Sequence, residues 1–504
     1  MEFDSKMISP RPLFHPIRPL ILFSLLLRSI QHCSKGRKTA PLTMRIPPPE
    51  HSLFQFLKSA LQVHQNFISG ALSRAESPIY VIGNPSADLD SIISALVYSY
   101  FANNRVPRDY PRPHVPVINL DKVPTGPELR RLRPEFVKAL QLSRHAGKTS
   151  EVEESSLLKE HFLTVADFAA QLEKGGFERQ IQADSVLVDW NALPIRSPDN
   201  TLGKGSVPGL STVDFTVVGC IDHHADEKFL PPIANAQPHL VEPTGSCTSL
   251  VMATLEKMGL WQKHDTNLSA SELAHEEEVA KLALVPILID TANLTSKEKV
   301  TEFDTTALDF LLPKATTANH SWDATKFYNK IHETKQNSLE LLTVDEILDR
   351  DYKEWTESPS DQSPLQIGIC STVKSISWIV RKAGSSEAFL DYLKAFASQR
   401  TLDIVTVMTA FSSVHDGQFS RELLVCALNA RGVDAVKSFV SDSSSKLGLE
   451  DWYSLDGDDY AQDIKDTLRF PRDTSSWTRL WVQTNKAQSR KQVAPLIRGA
   501  AASL

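Results

Sequence analysis

Two aspartates set two positions apart, Asp88 and Asp90, lie in the string GNPSADLDS (residues 83–91), and an Asp-His-His triplet follows at Asp222, His223 and His224. Carboxylates and imidazoles are ligands for divalent cations, and in an extended loop both carboxylates converge on one cleft. The plainer reading of the first string alone is a loop with a helix cap, where Asp and Asn are common. Its surroundings argue for more order than that. Apolar IYVI (residues 79–82) precedes it, and SIISALVYSYF, apolar at helical spacing, follows it. Strand, acidic loop and helix are implied.

Three further segments share this design. SVLVDWN, TVVGCIDHH and LVPILIDTA each run through β-rich apolar residues to a ligand type, at Asp189, at Asp222 to His224, and at Asp290. Such runs suit strands of a parallel sheet buried on both faces, and helical stretches such as TSLVMATLEKMGL separate them. The pattern predicts an α/β fold built on a doubly wound, mainly parallel sheet. Ligands of such sheets bind beyond the carboxyl ends of the strands, so all four motif tips are expected at one crevice. Buried carboxylates left unpaired there would be costly.

In this order and these contexts, the four motifs resemble those of the DHH phosphoesterase superfamily. One branch of that superfamily is RecJ-like and acts on nucleic acids. Another contains family II inorganic pyrophosphatases, Prune-like proteins and eukaryotic exopolyphosphatases. SRKQVAPLI (residues 489–497) resembles the Ser-Arg-Lys signature closing the second branch, and RDYKEW (residues 350–355) resembles the lysine-bearing segment near the start of its second domain. The resemblance spans residues 46–497. Asn84 stands where family II pyrophosphatases carry histidine, and exopolyphosphatases and Prune-like proteins carry asparagine. The strings GNPSADLDSIISALVYSY and PTGSCTSLV are similar to the exopolyphosphatase version. Exchanging an imidazole for an amide oxygen hardens a metal site toward Mg²⁺; Asn84 is either a weak ligand or no ligand.

The resemblance implies two divalent cations, Mg²⁺ or Mn²⁺ with Co²⁺ as a further option. Asp88 and Asp189 would hold one, and Asp90, Asp189, His223 and Asp290 the other, with Asp189 bridging. Paired cations acidify a shared water and supply hydroxide to phosphorus without a protein nucleophile. The chain accordingly shows neither a GxSxG elbow nor a Walker A loop. Of the catalytic residues implied, His224 either binds and protonates phosphoryl oxygens as a cationic imidazole or supports a ligand from behind, and Asp222 orients a histidine or the water. Lys353, Arg490 and Lys491 would hold substrate phosphate. The activity implied is an exopolyphosphatase that removes terminal orthophosphate from inorganic polyphosphate. Alternatives using the same residues are a Prune-like phosphodiesterase, a short-chain polyphosphatase or a pyrophosphatase. A non-catalytic phosphate-binding adaptor is a further alternative.

The 504 residues predict two or three domains: an N-terminal extension over 1–45, a DHH catalytic domain over 46–315, a linker helix over 316–340, and a smaller α+β DHH-associated, substrate-binding domain over 341–504. Leu312 to Lys326, rich in polar residues, is read as the break, and LQIGICSTV, DIVTVMTAF and ELLVCALN as strands of the second domain. Lys plus Arg number 54 against 61 Asp plus Glu, a net charge of -7, so the positive charge needed for a polyanion must be local. No acidic residue follows Asp473, whereas Arg479, Lys486, Arg490, Lys491 and Arg498 do. Leu480, Trp481, Val482, Val493 and Ile497 are apolar enough to pack this segment rather than leave it a solvated tail. Arg105, Arg108, Arg112, Arg130, Arg131 and Arg133 either extend a track for a long polyanion or are solvated surface.

The acidic balance and the lack of an aromatic-plus-basic platform argue against nucleic acid as a partner. Five cysteines, an odd number, point to a reducing compartment; Cys220, Cys370 and Cys426 read as core residues. Cys247, with the amides of Ser246 and Thr248, is either an anion site or a plain helix start. Near the amino end, basic residues flank an apolar run from Leu20 to Leu27 that is too short to span a bilayer, so no membrane association is expected. Met44 offers an alternative start. A monomeric cytoplasmic protein is expected, with mitochondrial import the alternative.

Overall fold

A computed structural model describes residues 52–504 except 74–75, 104–111, 145–149, 176–179, 232–237, 265–267, 318–321, 360–362, 414, 457–460 and 469–475. The expected extension over 1–45, Met44, Arg105 and Arg108 lie outside the described residues. The apolar runs build a first sheet of seven strands: β1 (Ile79–Ile82), β2 (His114–Val117), β3 (Ile181–Val188), β4 (Ile195–Arg196), β5 (Lys204–Ser206), β6 (Val213–Asp222) and β7 (His239–Val241). Their order is β2-β1-β3-β6-β5-β4, with β7 also on β6. Pairs β1–β2, β1–β3, β3–β6 and β6–β7 are parallel, and β4–β5 and β5–β6 antiparallel. The sheet is therefore mixed but mainly parallel, as the near-continuous burial of β1 and β2 requires. Register sets the site. Ile82 lies opposite Leu187, and Val188 opposite Ile221, so Gly83, Asp189 and Asp222 emerge at one edge.

Two expectations are corrected. LVPILIDTA is not a strand; it is the end of a 21-residue helix, Ala270–Asp290. Its residues from Val279 to Ile289 are buried all round, and a short run of that kind has no period to separate helix from strand. Pro286 inside the run argues against a central strand. The capping box of Ser269 with Glu272 starts the helix. The second correction concerns the path from Asp189 to Asp222, which carries no helix. Pro194, Pro198, Pro208, Gly203, Gly205 and Gly209 punctuate it, and it forms the β4–β5 ribbon.

The second sheet runs β14-β15-β13-β10-β9-β8, from β8 (Tyr352–Glu357), β9 (Leu365–Thr372), β10 (Ile404–Thr409), β13 (Glu422–Ala427), β14 (Leu449–Asp451) and β15 (Trp477–Gln483). A short ribbon, β11 (Phe411–Ser412) with β12 (Phe419–Ser420), stands apart. Only β9–β10 is parallel, giving the α+β arrangement expected. Val493 and Ile497 of the helix Arg490–Ala502 are buried in one apolar cluster with Leu365, Ile404, Val425 and Trp481, so the basic carboxyl-terminal segment is packed and not a solvated tail. Leu312, where a linker was expected to begin, still lies within the helix Glu302–Ala315. Both sheets belong to one compact unit, residues 46–504.

Candidate metal centre

At the carboxyl edge of β3 the chain turns sharply, and Asp189 adopts φ 63, a left-handed conformation that Asp tolerates better than most residues. Its Oδ2 accepts hydrogen bonds from Asn84 Nδ2 at 2.6 Å and Ser91 Oγ at 2.6 Å. Its Oδ1 is buried and has no hydrogen-bond partner. Asn84 has its amide nitrogen turned to Asp189 and its Oδ1 accepting from the Ser86 amide at 2.8 Å. Asn84 thus aims the carboxylate, and its own oxygen is already engaged by the Ser86 amide. Gly83 is obligatory here, since a Cβ would stand 2.9 Å from both Ser91 Cβ and Ser91 O.

His223 donates from Nδ1 to the Thr244 carbonyl at 3.0 Å, which leaves the Nε2 lone pair facing Asp189 Oδ1 at 3.0 Å. Burial and Lys491 push the His223 pKa down to about 4, so the ring is neutral at pH 7 and two electron-pair donors confront each other. Two ligands at right angles, each about 2.1 Å from a shared cation, stand about 3 Å apart. Asp189 and His223 therefore fit a divalent cation. With His224 they offer one ligand atom each, all within 4.8 Å of one another.

Asp222 is fully buried and serves as a bracket. Its Oδ1 accepts from the His223 amide and from His224 Nδ1, both at 2.8 Å, and Asn191 Nδ2 donates to its Oδ2 at 2.5 Å. His224 is left with Nε2 free to accept, and Lys353 Nζ stands 3.4 Å from it. Burial, Lys353, His223, Lys491 and Arg490 hold the His224 pKa well below 6.5. Both His224 nitrogens are thus engaged, Nδ1 by Asp222 and Nε2 by Lys353, an arrangement that favours the neutral ring over the cationic imidazole expected from sequence.

Asp90, near the start of the helix Leu89–Ala102, answers the question posed by Ser246, Cys247 and Thr248. Those groups do bind an anion, and the anion is Asp90 itself: Cys247 N donates to Oδ2 at 2.7 Å, Thr248 N and Ser246 Oγ to Oδ1 at 3.0 and 2.8 Å. The amino end of the helix Cys247–Lys257 is filled by a side chain of the same protein. Burial and Asp189 still raise the Asp90 carboxyl to about 6. Its Oδ2 reaches His223 Nε2 only at 3.8 Å. Asp88 caps the Leu89–Ala102 helix through the Ser91 amide at 3.0 Å.

Asp290 lies outside the tight group but within its field. Burial drives its pKa well up, Lys335 and Lys299 pull it down, and Asp90 and Asp88 push it up. A carboxylate ending a 21-residue helix sits on the negative pole of the dipole, where it calls for a cation. After Thr291, the residues Ala292, Asn293 and Leu294 have φ 50, 54 and 62, a left-handed run that is unfavourable for L-residues. Thr291, at the head of this run, packs where Gly245 has no side chain; a Cβ there would meet Thr291 Cγ2 at 2.7 Å.

The second domain delivers cations. Lys491 Nζ stands 2.9 Å from His223 Nε2. Arg490 does not hang free; it donates to Asp351 O at 2.8 Å and Asp351 Oδ1 at 2.7 Å. Burial alone would lift Asp351, yet Arg490 and Lys353 hold it at about 2. Arg133, expected on a track or in solvent, does neither. It is buried, bonds the Ala87 carbonyl at 2.7 Å and the Arg350 carbonyl at 2.7 Å, and so ties the first motif to the second domain. Arg130 pairs with Glu151 and Glu154, Arg131 with Glu128 and Glu346, Arg112 with Asp184, so these too serve structure. Sequence reasoning missed Asn191, Asp304 and Asp351. Each carries a local signal: Asn191 two residues after Asp189, Asp351 two before Lys353, and Asp304 three after Thr301 in a capping box.

Cys220, Cys247, Cys370 and Cys426 are free and buried. Among the described residues no helix is long and apolar enough to cross a membrane.

Comparison with known proteins bears on the two domains that carry these residues. The family model described as "DHH family, N-terminal domain" matches residues 78–287, and that described as "DHHA2 domain" matches residues 329–500. A curated relative from Schizosaccharomyces pombe, titled "Putative exopolyphosphatase", is 29% identical over 450 residues, covering 88% of this chain and 97% of that protein. A solved structure titled "Crystal structure of Methanococcus jannaschii putative family II inorganic pyrophosphatase" aligns with a TM-score of 0.46 at 16% identity, covering 84% of this chain and 98% of that one.

Proposed function

The chain belongs to the DHH superfamily, a DHH domain followed by a DHHA2 domain, and from that premise we propose that it is an exopolyphosphatase, a hydrolase releasing orthophosphate from the end of inorganic polyphosphate. One observation carries the proposal. The unpartnered Asp189 Oδ1 faces His223 Nε2 at 3.0 Å, and Lys491 of the second domain reaches the same nitrogen at 2.9 Å, with Lys353 on His224 and Arg490 on Asp351 nearby. Carboxylate and imidazole for a cation, with ammonium and guanidinium for phosphate, are the complement of a metal-complexed polyanion. The printed name of the Schizosaccharomyces pombe relative supports the same substrate class.

Asp189 and His223 would hold a divalent cation, with Asp88, Asp90 and Asp290 completing a two-cation centre; Mg²⁺ or Mn²⁺ suits these oxygen-rich donors. When bound, such cations supply Lewis acidity, polarising the phosphoryl group and acidifying water in the cleft. The protein's part is positional. Asn84 and Ser91 hold Asp189 Oδ2 so that Oδ1 points inward. Asp222 fixes His224 with Nδ1–H engaged, leaving Nε2 as the atom that can take a proton. Lys353 and Lys491 bring charge to the phosphoryl oxygens as it develops. Arg490 holds Asp351, and through it the start of β8 that carries Lys353. The odd cysteine number makes a reducing compartment, the cytosol, the proposed place of action.

The test is orthophosphate release from long-chain polyphosphate, tripolyphosphate, pyrophosphate and a cyclic nucleotide, each with Mg²⁺, Mn²⁺ and Co²⁺. Long-chain polyphosphate should be preferred. Preference for pyrophosphate or the cyclic nucleotide overturns the substrate, and inactivity with every metal favours a phosphate-binding adaptor.

A further inference from the structure

The string Leu132-Arg133-Pro134 splits one helical stretch into two. Proline at the first position of the helix Pro134–Ser143 keeps the residue before it out of helical backbone, and Arg133, with φ -127 and ψ 57, forms the corner between that helix and Pro127–Leu132. The residue is only 2% exposed. Its Nε donates to the Ala87 carbonyl at 2.7 Å. Its Nη2 donates both to the Ser86 carbonyl and, at 2.7 Å, to the Arg350 carbonyl. Ser86 belongs to the DHH domain and Arg350 to the DHHA2 domain, so the two hydrogens of one nitrogen reach into different domains.

Both ends of this bridge stop beside residues of the candidate site. Ala87 has φ 44, a left-handed backbone that alanine does not favour, and it immediately precedes Asp88. The carbonyls of Ser86 and Ala87 belong to the two peptides flanking the Ala87 Cα, and Arg133 bonds both. At the other end, Arg350 stands three residues before Lys353, whose Nζ lies 3.4 Å from His224 Nε2, and Arg490 holds Asp351 between them. The Arg350 side chain returns the contact, donating from Nε to the Leu132 carbonyl at 3.1 Å and from Nη2 to Glu135 Oε1 at 2.7 Å. The corner and the end of the helix Val344–Arg350 are thus fastened in both directions. A planar guanidinium holds its donors at fixed angles, which sets Ser86, Ala87 and Arg350 relative to one another; an ammonium has no such fork. Burying a guanidinium is costly, and an apolar side chain would fill the corner while bonding none of these carbonyls.

We propose that Arg133 is a positioning residue: one guanidinium bonds the turn before Asp88 and the Arg350 carbonyl, and in doing so sets where Lys353 stands relative to the candidate metal centre. Turnover then depends on Arg133 through Lys353. The proposal rests on the phosphate-holding role given to Lys353 and adds the residue that registers it.

A double-mutant cycle on the whole chain tests this, with wild type, Arg133→Lys, Lys353→Met and the double variant compared in Mg²⁺. Orthophosphate release from long-chain polyphosphate is the readout, and thermal unfolding checks folding. Arg133→Lys keeps the charge and loses the fork. It should lower kcat about tenfold when Lys353 is present, the value of one charge-assisted hydrogen bond, and less than about twofold when Lys353 is already methionine, because no ammonium remains to be placed. Equal losses in the two backgrounds overturn the coupling, since a purely structural Arg133 would act alike in both. Should Arg133→Lys fail to fold, Glu135→Gln takes its place under the same criterion; it keeps Arg133 and removes only the charge that Arg350 grips. If wild type releases no orthophosphate, the catalytic reading fails separately. In that case, or where Lys353→Met is too slow to measure, calorimetric affinity for inorganic phosphate across the same four proteins decides: non-additive losses uphold the coupling and additive losses overturn it.

Discussion

Lys491 Nζ stands 2.9 Å from His223 Nε2, the nitrogen left bare because Nδ1 is engaged by the Thr244 carbonyl. The last helix of the second domain thus places an ammonium against the lone pair that a cation needs. Lysine and cation compete for one atom. Lys491→Met should tighten Mn²⁺ binding about tenfold, the value of a charge-assisted hydrogen bond, while weakening turnover because a phosphate ligand is lost. Titration calorimetry checks it; an unchanged or weaker Mn²⁺ affinity would show that the contact does not oppose the metal.

Asp189 is held in a left-handed conformation that Asn also accepts, so Asp189→Asn removes the charge without disturbing the turn. Orthophosphate release should fall by more than about a hundredfold, since even residues behind the ligands of metal sites are worth 10–100-fold. In the presence of a chelator the variant should be at least as stable as wild type, because a desolvated carboxylate beside Asp88 and Asp222 has been neutralised. Added Mn²⁺ should raise the Tm of wild type and not of the variant. Equal metal stabilisation of both would remove Asp189 from the centre.

Asp304 is the quieter counterpart. Fully buried, it accepts from Thr244 Oγ1, Gly245 N, Ser246 N, Ser249 Oγ, Thr301 N and Thr301 Oγ1 at 2.7 to 3.3 Å. It fastens the turn that presents Thr244 to His223 and Ser246 to Asp90. Asp304→Ala leaves several buried donors unpaired and should destabilise the protein by about 3 to 5 kcal/mol, read as a lowered denaturation midpoint. A loss below about 1 kcal/mol would mean that the turn holds without it.

The strands of the candidate site were legible because β1 and the second halves of β3 and β6 carry the apolar stretches IYVI, VLV and VVGCI, and parallel register then carries Asp189 and the triplet to the edge where the first motif begins. The Ser-Arg-Lys tail was legible as a packed element because its apolar residues outnumber what a solvated tail needs. Asp290 was placed on the wrong kind of element. Six buried apolar residues, Leu284 to Ile289, read alike as strand or helix end, and only Pro286 argued otherwise. The partner of Ser246 to Thr248 was hidden for a different reason: an anion-binding helix start does not say whether its anion comes from solvent or, like Asp90, from far along the chain. The same limit applies to Arg133, whose buried bonds to Ala87 and Arg350 no local pattern announces.

Glu422 supplies a pH dependence away from the metals. Burial lifts its carboxyl to about 7, against the bonds from the Ile376 amide and Trp452 Nε1 that lower it. Its unfolded value is 4.5, so between pH 4.5 and 7 the folded protein holds a proton that the unfolded chain has released. Stability from this group is greatest below 4.5, falls as pH rises through that window, and is lost above 7, a change of roughly 3 kcal/mol. The Tm of Glu422→Gln relative to wild type, measured in chelator, should therefore rise from pH 5 to pH 8. A difference independent of pH would contradict the assignment.

The most direct measurement is the anomalous scattering of Mn²⁺ in crystals of the whole chain. A Mn²⁺ peak should lie within bonding distance of both Asp189 Oδ1 and His223 Nε2, about 2.0 to 2.3 Å, with Lys491 displaced from the imidazole. Absence of any peak there, with Lys491 still seated on His223 at saturating Mn²⁺, would contradict a metal-dependent hydrolase built on these residues.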